Sequence, residues 1–365
     1  MKFILDARGV IAELKALKPL TSDAYGAQRV AFGPGWVRSS SWIQEKLPGL
    51  PAETHTDEVG DFWVTLRGAS PRELVIGGQM DSVSNGGRLD GCLNVLAGVE
   101  ILRRIDTQSA GQPPEKVWRV GSEFERVKDS GRELQNIAAY LELHFEQGPV
   151  LLDLDLPLGV VLRTFGVERH AVTFRGRAAH SGSLPMKRRK DVLLAAEKMS
   201  WELYGITERS GGGVCTIGAC TTKPGIVTSV VEECRIALDQ RHLDPRALAR
   251  MLADANEASE RFAREGHVEV SWERLWDIPP RPVHPELISW YDAAIMEKCG
   301  RSHRLPSGPL HDAAGVGVPT FLVFGQSLHS ISLNKIEDTK EEHLELCGRV
   351  FDRWAGKTMT GIDRN

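Results

Sequence analysis

Gln79, Asp81 and Asp90 stand where a short apolar run, residues 74–76, gives way to Gly77 and Gly78. That pattern suits a buried strand whose backbone leaves the sheet at the glycines, and open α/β sheets bind ligands beyond the carboxyl ends of their strands. Asn85-Gly86-Gly87 makes the turn before Asp90, and Leu93, Leu96, Ala97, Val99, Ile101 and Leu102 then recur at roughly helical spacing. Asp90 should therefore sit close to a helix N-terminus, a position that favours negative charge. Cys92 follows two residues later and reads either as a thiol nucleophile beside a base or as a buried helix residue.

A second group lies in IAAYLELHFEQGPV, residues 137–150. Side chains alternate along a strand, so Glu142, His144 and Glu146 fall on one side, and His144 and Glu146 are expected to face the site together. Arg241 closes the alternating run SVVEECRIALDQR, residues 229–241, and an arginine fork suits a carboxylate. His180 lies in GRAAHSG, and PSGPLHDA holds Ser307, Gly308, His311 and Asp312.

These segments resemble the M20 zinc amidohydrolases, specifically the hydantoinase/carbamoylase branch of N-carbamoyl-L-amino-acid hydrolases, allantoate amidohydrolases and ureidoglycine-type enzymes. The likeness rests on QMDSVSNGGRLDG, ELHFEQGP, GRAAHSG with Pro185-Met186, Arg189 and Asp191, the Asp239-x-Arg241 pair, and SGPLHDA. It implies an M20-type catalytic α/β domain with a central mixed sheet flanked by helices, residues 1–166 and 280–365. A ferredoxin-like α+β lid and dimerisation domain, residues 167–279, would interrupt it. The implied catalytic residues are His180, His144, Glu146 and Asp81. Arg241, Thr228, Gln79, Ser307, Gly308, His311 and Asp312 would bind substrate, and Asp90 and His144 would hold metal. His180 would cross a homodimer interface to donate to the oxyanion in the partner's site.

The chain departs from that family at named positions. Gln79 stands where relatives have a metal-ligand histidine, and Leu333 where they have the last one. Glu123 and Glu125 replace an adjacent Glu-Glu pair in a shortened segment. Leucine cannot ligate, and a glutamine carbonyl is a poor partner for zinc. Three readings follow. One is a hydrolase of an amide, ureido or N-carbamoyl bond in a small carboxylate, working with one divalent ion, zinc or manganese. The second is a metal-free enzyme performing hydrolysis or acyl transfer with His144, His311 or Cys92. The third is a non-catalytic binding homologue.

The remaining chain supplies the scaffold for these residues. Its 365 residues suit two domains, and 41% hydrophobic with 26% charged residues is the composition of a globular protein. A net charge of −4 gives no reason to expect nucleic acid. Asp6, Arg8 and Glu13 break the apolar N-terminus, which argues against a signal peptide or membrane span and for a cytoplasmic protein. Six cysteines lack metal-type spacing and are expected reduced. Helices are expected over residues 1–20, 36–47 (with Trp42 and Ile43 inward), 191–204, 246–265 and 286–299, and strands over 54–67, 169–175, 214–222, 229–241, 267–272 and 319–324.

Overall fold

A computed structural model describes residues 5–57, 60–69, 72–109, 117–122 and 136–361. The chain divides into two compact units, Met1–Leu162 with Pro282–Asn365, and Arg163–Arg281. Glu123 and Glu125 lie outside the described residues.

The first unit is built on an eight-stranded mixed sheet. From edge to edge its strands are Arg304–Ser307, Leu158–Thr164, Thr320–Gly325, Ile137–Phe145, Glu73–Gly78, Val117–Ser122, Phe62–Leu66 and Glu53–Thr56. The four central strands, 320–325, 137–145, 73–78 and 117–122, run parallel. All four therefore end at one edge, where Gln79, His144 and the residues after Gly325 are delivered together. Every residue of Ile137–Phe145 is buried, as expected of a strand covered on both faces.

Helix Ala7–Thr21 begins at Asp6, whose carboxylate accepts the Gly9 N–H at 3.0 Å. Its Val10, Ile11, Leu14 and Leu17 form the buried stripe, and it packs on helices Pro34–Gln44, Cys92–Ser109 and Glu341–Gly361. Within Pro34–Gln44 only half of the expected aromatic-aliphatic pair is internal: Ile43 is buried, while Trp42 is half-buried against the core. Cys92–Ser109 buries residues all round its surface, and Asn94 on its first turn accepts the Leu143 N–H at 2.9 Å, tying helix to strand.

The second unit is a four-stranded antiparallel sheet in the order Val214–Lys223, Glu233–His242, Gly166–Arg175, Glu269–Ile278. Helices Val192–Arg209 and Pro245–Gly266 pack with Val172, Phe174, Ile236 and Leu238 in one core. The expected single strand over residues 229–241 is two. Ser229–Val230 pairs with Ala179–His180, and Glu233–His242 joins the main sheet. The break arises because the Val231 and Glu232 carbonyls accept from Val192 and Gly176 instead of from a ladder partner.

Candidate active site

The centre of the first unit's site is a buried cluster of Asp90, Glu142, His144 and His311. Alternation along Ile137–Phe145 sends Glu142 and His144 to the same side, as their spacing requires. Asp90 stands just before helix Cys92–Ser109 and reaches His144, with 3.1 Å between Oδ1 and Nε2. The other His144 nitrogen, Nδ1, donates to the Phe145 carbonyl at 2.9 Å, leaving Nε2 pointed at Asp90. Glu142 accepts the Ala313 N–H at 2.9 Å through one oxygen and faces His311 Nδ1 at 3.5 Å through the other. The two imidazole rings are 4.4 Å apart, centroid to centroid.

The charges sort themselves within this cluster. Burial works to raise the Asp90 carboxyl, but the hydrogen bond and charge of His144 overcome it and hold the group below its ordinary value. Burial also opposes charge on His144, yet the Asp90 hydrogen bond and charge raise it above the usual imidazole value. His311 moves the other way, lowered first by burial and then by the neighbouring His144 charge. The two imidazoles thus shift in opposite directions, and among the described residues His311 Nε2 is buried with no hydrogen-bond partner.

This donor set fits a divalent ion. Ligand atoms of Glu142, His144 and His311 all lie within 4.8 Å of one another. Two bonds of about 2.1 Å at a tetrahedral angle separate ligand atoms by roughly 3.4 Å, close to the His144–Asp90 and His311–Glu142 separations of 3.1 and 3.5 Å. The Nδ1 bond to Phe145 is the outer-shell contact that fixes a ligating imidazole's tautomer.

Several expected site residues are placed differently. Glu146 lies beyond the strand end, and its two oxygens accept the Val150 and Leu151 N–H groups, each at 2.7 Å. It caps the one-turn segment Val150–Asp153 and is not a member of the Glu142–His144–His311 group. Ser307 is fully buried and donates to the Pro309 carbonyl at 2.8 Å, closing its own turn. Cys92 has no exposed surface, and burial pushes its thiol up, which disfavours the thiolate a nucleophile needs. His311, expected to bind substrate, is instead a member of the cluster. Gln79 and Asp81 are half-buried, as are Gly308 and Asp312.

Leu333 is 57% exposed and contributes its backbone N–H to Glu337 Oε2 at 3.1 Å. Exposed His329 does not replace it in the Glu142–His144–His311 group. Glu337 is the residue that sequence reasoning passed over. Its carboxyl is pushed up to about 7, first by burial and then by the Asp90 charge. The folded value exceeds the ordinary 4.5, so the folded chain keeps a proton that the unfolded chain releases. The resulting stabilisation is complete below pH 4.5 and lost as pH rises to about 7. In metal-free protein, urea unfolding should show wild type losing about 3 kcal/mol across that window relative to Glu337→Gln. Parallel pH profiles for the two proteins would refute this.

In the second unit, His180 and Thr228 are brought together. Ala179–His180 pairs with Ser229–Val230, and the Ser181 N–H donates to the Thr228 carbonyl at 2.9 Å. His180 is exposed, and its Nδ1 accepts the Gly182 N–H at 3.1 Å, which leaves Nε2–H as the outward donor of the neutral ring. Arg241 is gripped by Asp239, with bonds of 2.6 and 3.1 Å.

A parallel-centred α/β domain that gathers two histidines and two carboxylates at its strand ends, interrupted by a four-stranded α+β domain, is the architecture of an amidohydrolase. The chain is similar to the hydantoinase/carbamoylase amidases in sequence and fold. It is 28% identical to the allantoate amidohydrolase of Escherichia coli K12 over 87% of this chain and 89% of that one. With the N-carbamoyl-L-amino acid amidohydrolase of Geobacillus stearothermophilus it shares 26% identity over 87% and 90%. The crystal structure of an amidase of the hydantoinase/carbamoylase family from Burkholderia vietnamiensis superposes with a TM-score of 0.88 at 25% identity, covering 97% of both chains. No protein-family model matches the chain.

Proposed function

We propose that this protein hydrolyses a non-peptide C–N bond, amide, ureido or N-carbamoyl, in a small carboxylate, around one divalent ion where its relatives' motif provides for two. The single observation that carries the reading is the buried Asp90–His144 and Glu142–His311 constellation, in a chain similar over most of its length to enzymes named for allantoate and for N-carbamoyl amino acids. The one-ion part rests on Leu333, which has no donor to offer, and on Gln79, which brings only an amide.

A zinc or manganese ion held by Asp90 and His144, with Glu142 and His311 beside it, would polarise the scissile carbonyl and acidify water. The protein's own groups do the rest. His144 is held by its Phe145 bond with Nε2 forward, and neutral His311, backed by Glu142, has Nε2 available to take a proton from the attacking water. Arg241 takes the substrate carboxylate, and His180 of the partner subunit donates through Nε2–H to the developing oxyanion.

We also infer a homodimer. In its support, helix Val192–Arg209 displays Trp201 at 83% exposure together with Tyr204 and Leu194, alongside the sheet-edge strand Val214–Lys223.

One preparation tests all of this. Dialysed protein should carry about one zinc or manganese per subunit and sediment as a dimer. It should release product from allantoate or an N-carbamoyl-L-amino acid, with turnover lost to a chelator and restored by metal. Two ions per subunit would refute the single-ion part, and a metal-loaded dimer inert on every such compound would refute hydrolysis.

A further inference from the structure

Two thiols of the second unit are in contact, with 3.7 Å between Cys220 Sγ and Cys234 Sγ. The strand register accounts for their meeting. Cys220 lies across from Ile236, and Cys234 lies across from Thr222. The two cysteines are therefore diagonal neighbours on one face of the sheet, the face that carries Ile236 and Leu238 into the core shared with the helices.

Their surroundings differ. Cys234 has no exposed surface, whereas Cys220 is exposed on Val214–Lys223, the strand at the edge of the sheet. Burial, and then the contact with Cys220, pushes the Cys234 thiol up to about 12. By exposure, Cys220 is the sulfur that a reagent in solvent meets first. The connection between the two, residues 221–233, carries residues of the site. Within it the Thr228 carbonyl accepts the Ser181 N–H, and Ser229–Val230 pairs with Ala179–His180. The thiols thus stand at the root of the loop against which His180 is set.

We propose that Cys220 and Cys234 form a thiol–disulfide exchange site, which takes small-molecule disulfides of the glutathione type and closes the root of this loop. Cys220, as its thiolate, attacks one sulfur of oxidised glutathione. That disulfide breaks, and one glutathione leaves and takes up the proton that Cys220 gave. Cys234 then releases its proton and attacks the Cys220 sulfur of the mixed disulfide, and the second glutathione leaves and takes that proton. Two protein thiols are oxidised, and one glutathione disulfide is reduced to two thiols. A bond of about 2.05 Å requires the sulfurs to be drawn together. The edge strand can supply that movement, since within the chain it has a neighbour on one side only and its register already shifts between Ile217 and Ala219.

The test uses the full chain, reduced and freed of reductant, then incubated with oxidised glutathione and read by intact mass, thiol titration and peptide mapping. Wild type should lose two hydrogens, and its free thiols should fall from six to four, the difference being the linked pair Cys220–Cys234. Cys234→Ala should stop at one glutathione on Cys220, and Cys220→Ser should take up none at Cys234. Circular dichroism confirms that each variant is folded, and the wild-type result stands without them. Amide hydrogen exchange across residues 221–233 should slow in the oxidised protein and recover with dithiothreitol. Six thiols remaining, a lasting glutathione adduct on wild-type Cys220, a Cys220–Cys220 link between subunits, or pairing with any other cysteine would each overturn the exchange site. Unchanged exchange in the linked protein would overturn the closing of the loop.

Discussion

His144→Ala is expected to lower turnover by about a thousandfold and to strip the protein of its metal. His144 contributes to the site in three ways, and the substitution removes all of them. Its Nε2, 3.1 Å from Asp90 Oδ1, is the nitrogen proposed to hold the ion. In the metal-free protein its hydrogen bond and charge hold the Asp90 carboxyl down, and its charge adds to burial in lowering His311. Its Nδ1–H bond to Phe145 locks the ring that does both. Loss of a proton-transferring or ligating imidazole costs about 10²–10⁴ in rate. Stability should fall as well, by about 3 kcal/mol, because Asp90 is left as a buried carboxylate without its partner. Metal analysis, turnover and urea unfolding on the same folded sample check all three effects. Turnover within tenfold of wild type would remove His144 from the chemistry.

The second large effect is expected from the smallest residue in the site. Gly91 has φ +68°, in the left-handed region, and an added Cβ would lie 2.2 Å from the Gln79 carbonyl oxygen and 2.4 Å from its Cγ. The strain of a side chain there and the collision with backbone cannot both relax without moving Asp90 on one side or the helix start at Cys92 on the other. Gly91→Ala should therefore destabilise the protein by about 3–4 kcal/mol and displace the metal-side carboxylate, with turnover falling in the fraction that folds. Gly218→Ala is the control, since nothing lies within 4 Å of its Cβ position, and a shift within about 0.5 kcal/mol is expected. Equal denaturation midpoints for the two variants would show that the turn at Gly91 yields freely.

The comparison between these two glycines marks the boundary of what a linear reading can reach. The turn at residues 85–91 is legible from its composition, but the reason Gly91 must be glycine is a carbonyl twelve residues earlier in the chain. His144 is likewise legible from its motif. The motif also suggested Glu146 as its companion, whereas the carboxylate that shares the cluster is Glu142. Both glutamates lie two residues from the histidine, and only the end of the strand after Phe145 distinguishes them. Alternation offered a signal for Glu142, but with equal weight for Glu146. Cys92 reads from the sequence either as a nucleophile or as a buried helix residue, and the structure, which leaves it no exposed surface, decides for the second.

By itself the sequence determined the kinds of element, their order, the interruption of one domain by another, and the motifs that mark an amidohydrolase relative. These are local properties: apolar periodicity, glycine-bearing turns and short runs of side chains carry them without reference to distant residues. The tertiary structure decided which polar groups share a site. Parallel pairing of strands 320–325, 137–145 and 73–78 puts residues far apart in the chain at one edge. Burial and neighbouring charges there then move His144 up, His311 down and the Glu337 carboxyl up to about 7. Desolvation and the charges of neighbours act through space, so no stretch of sequence contains them.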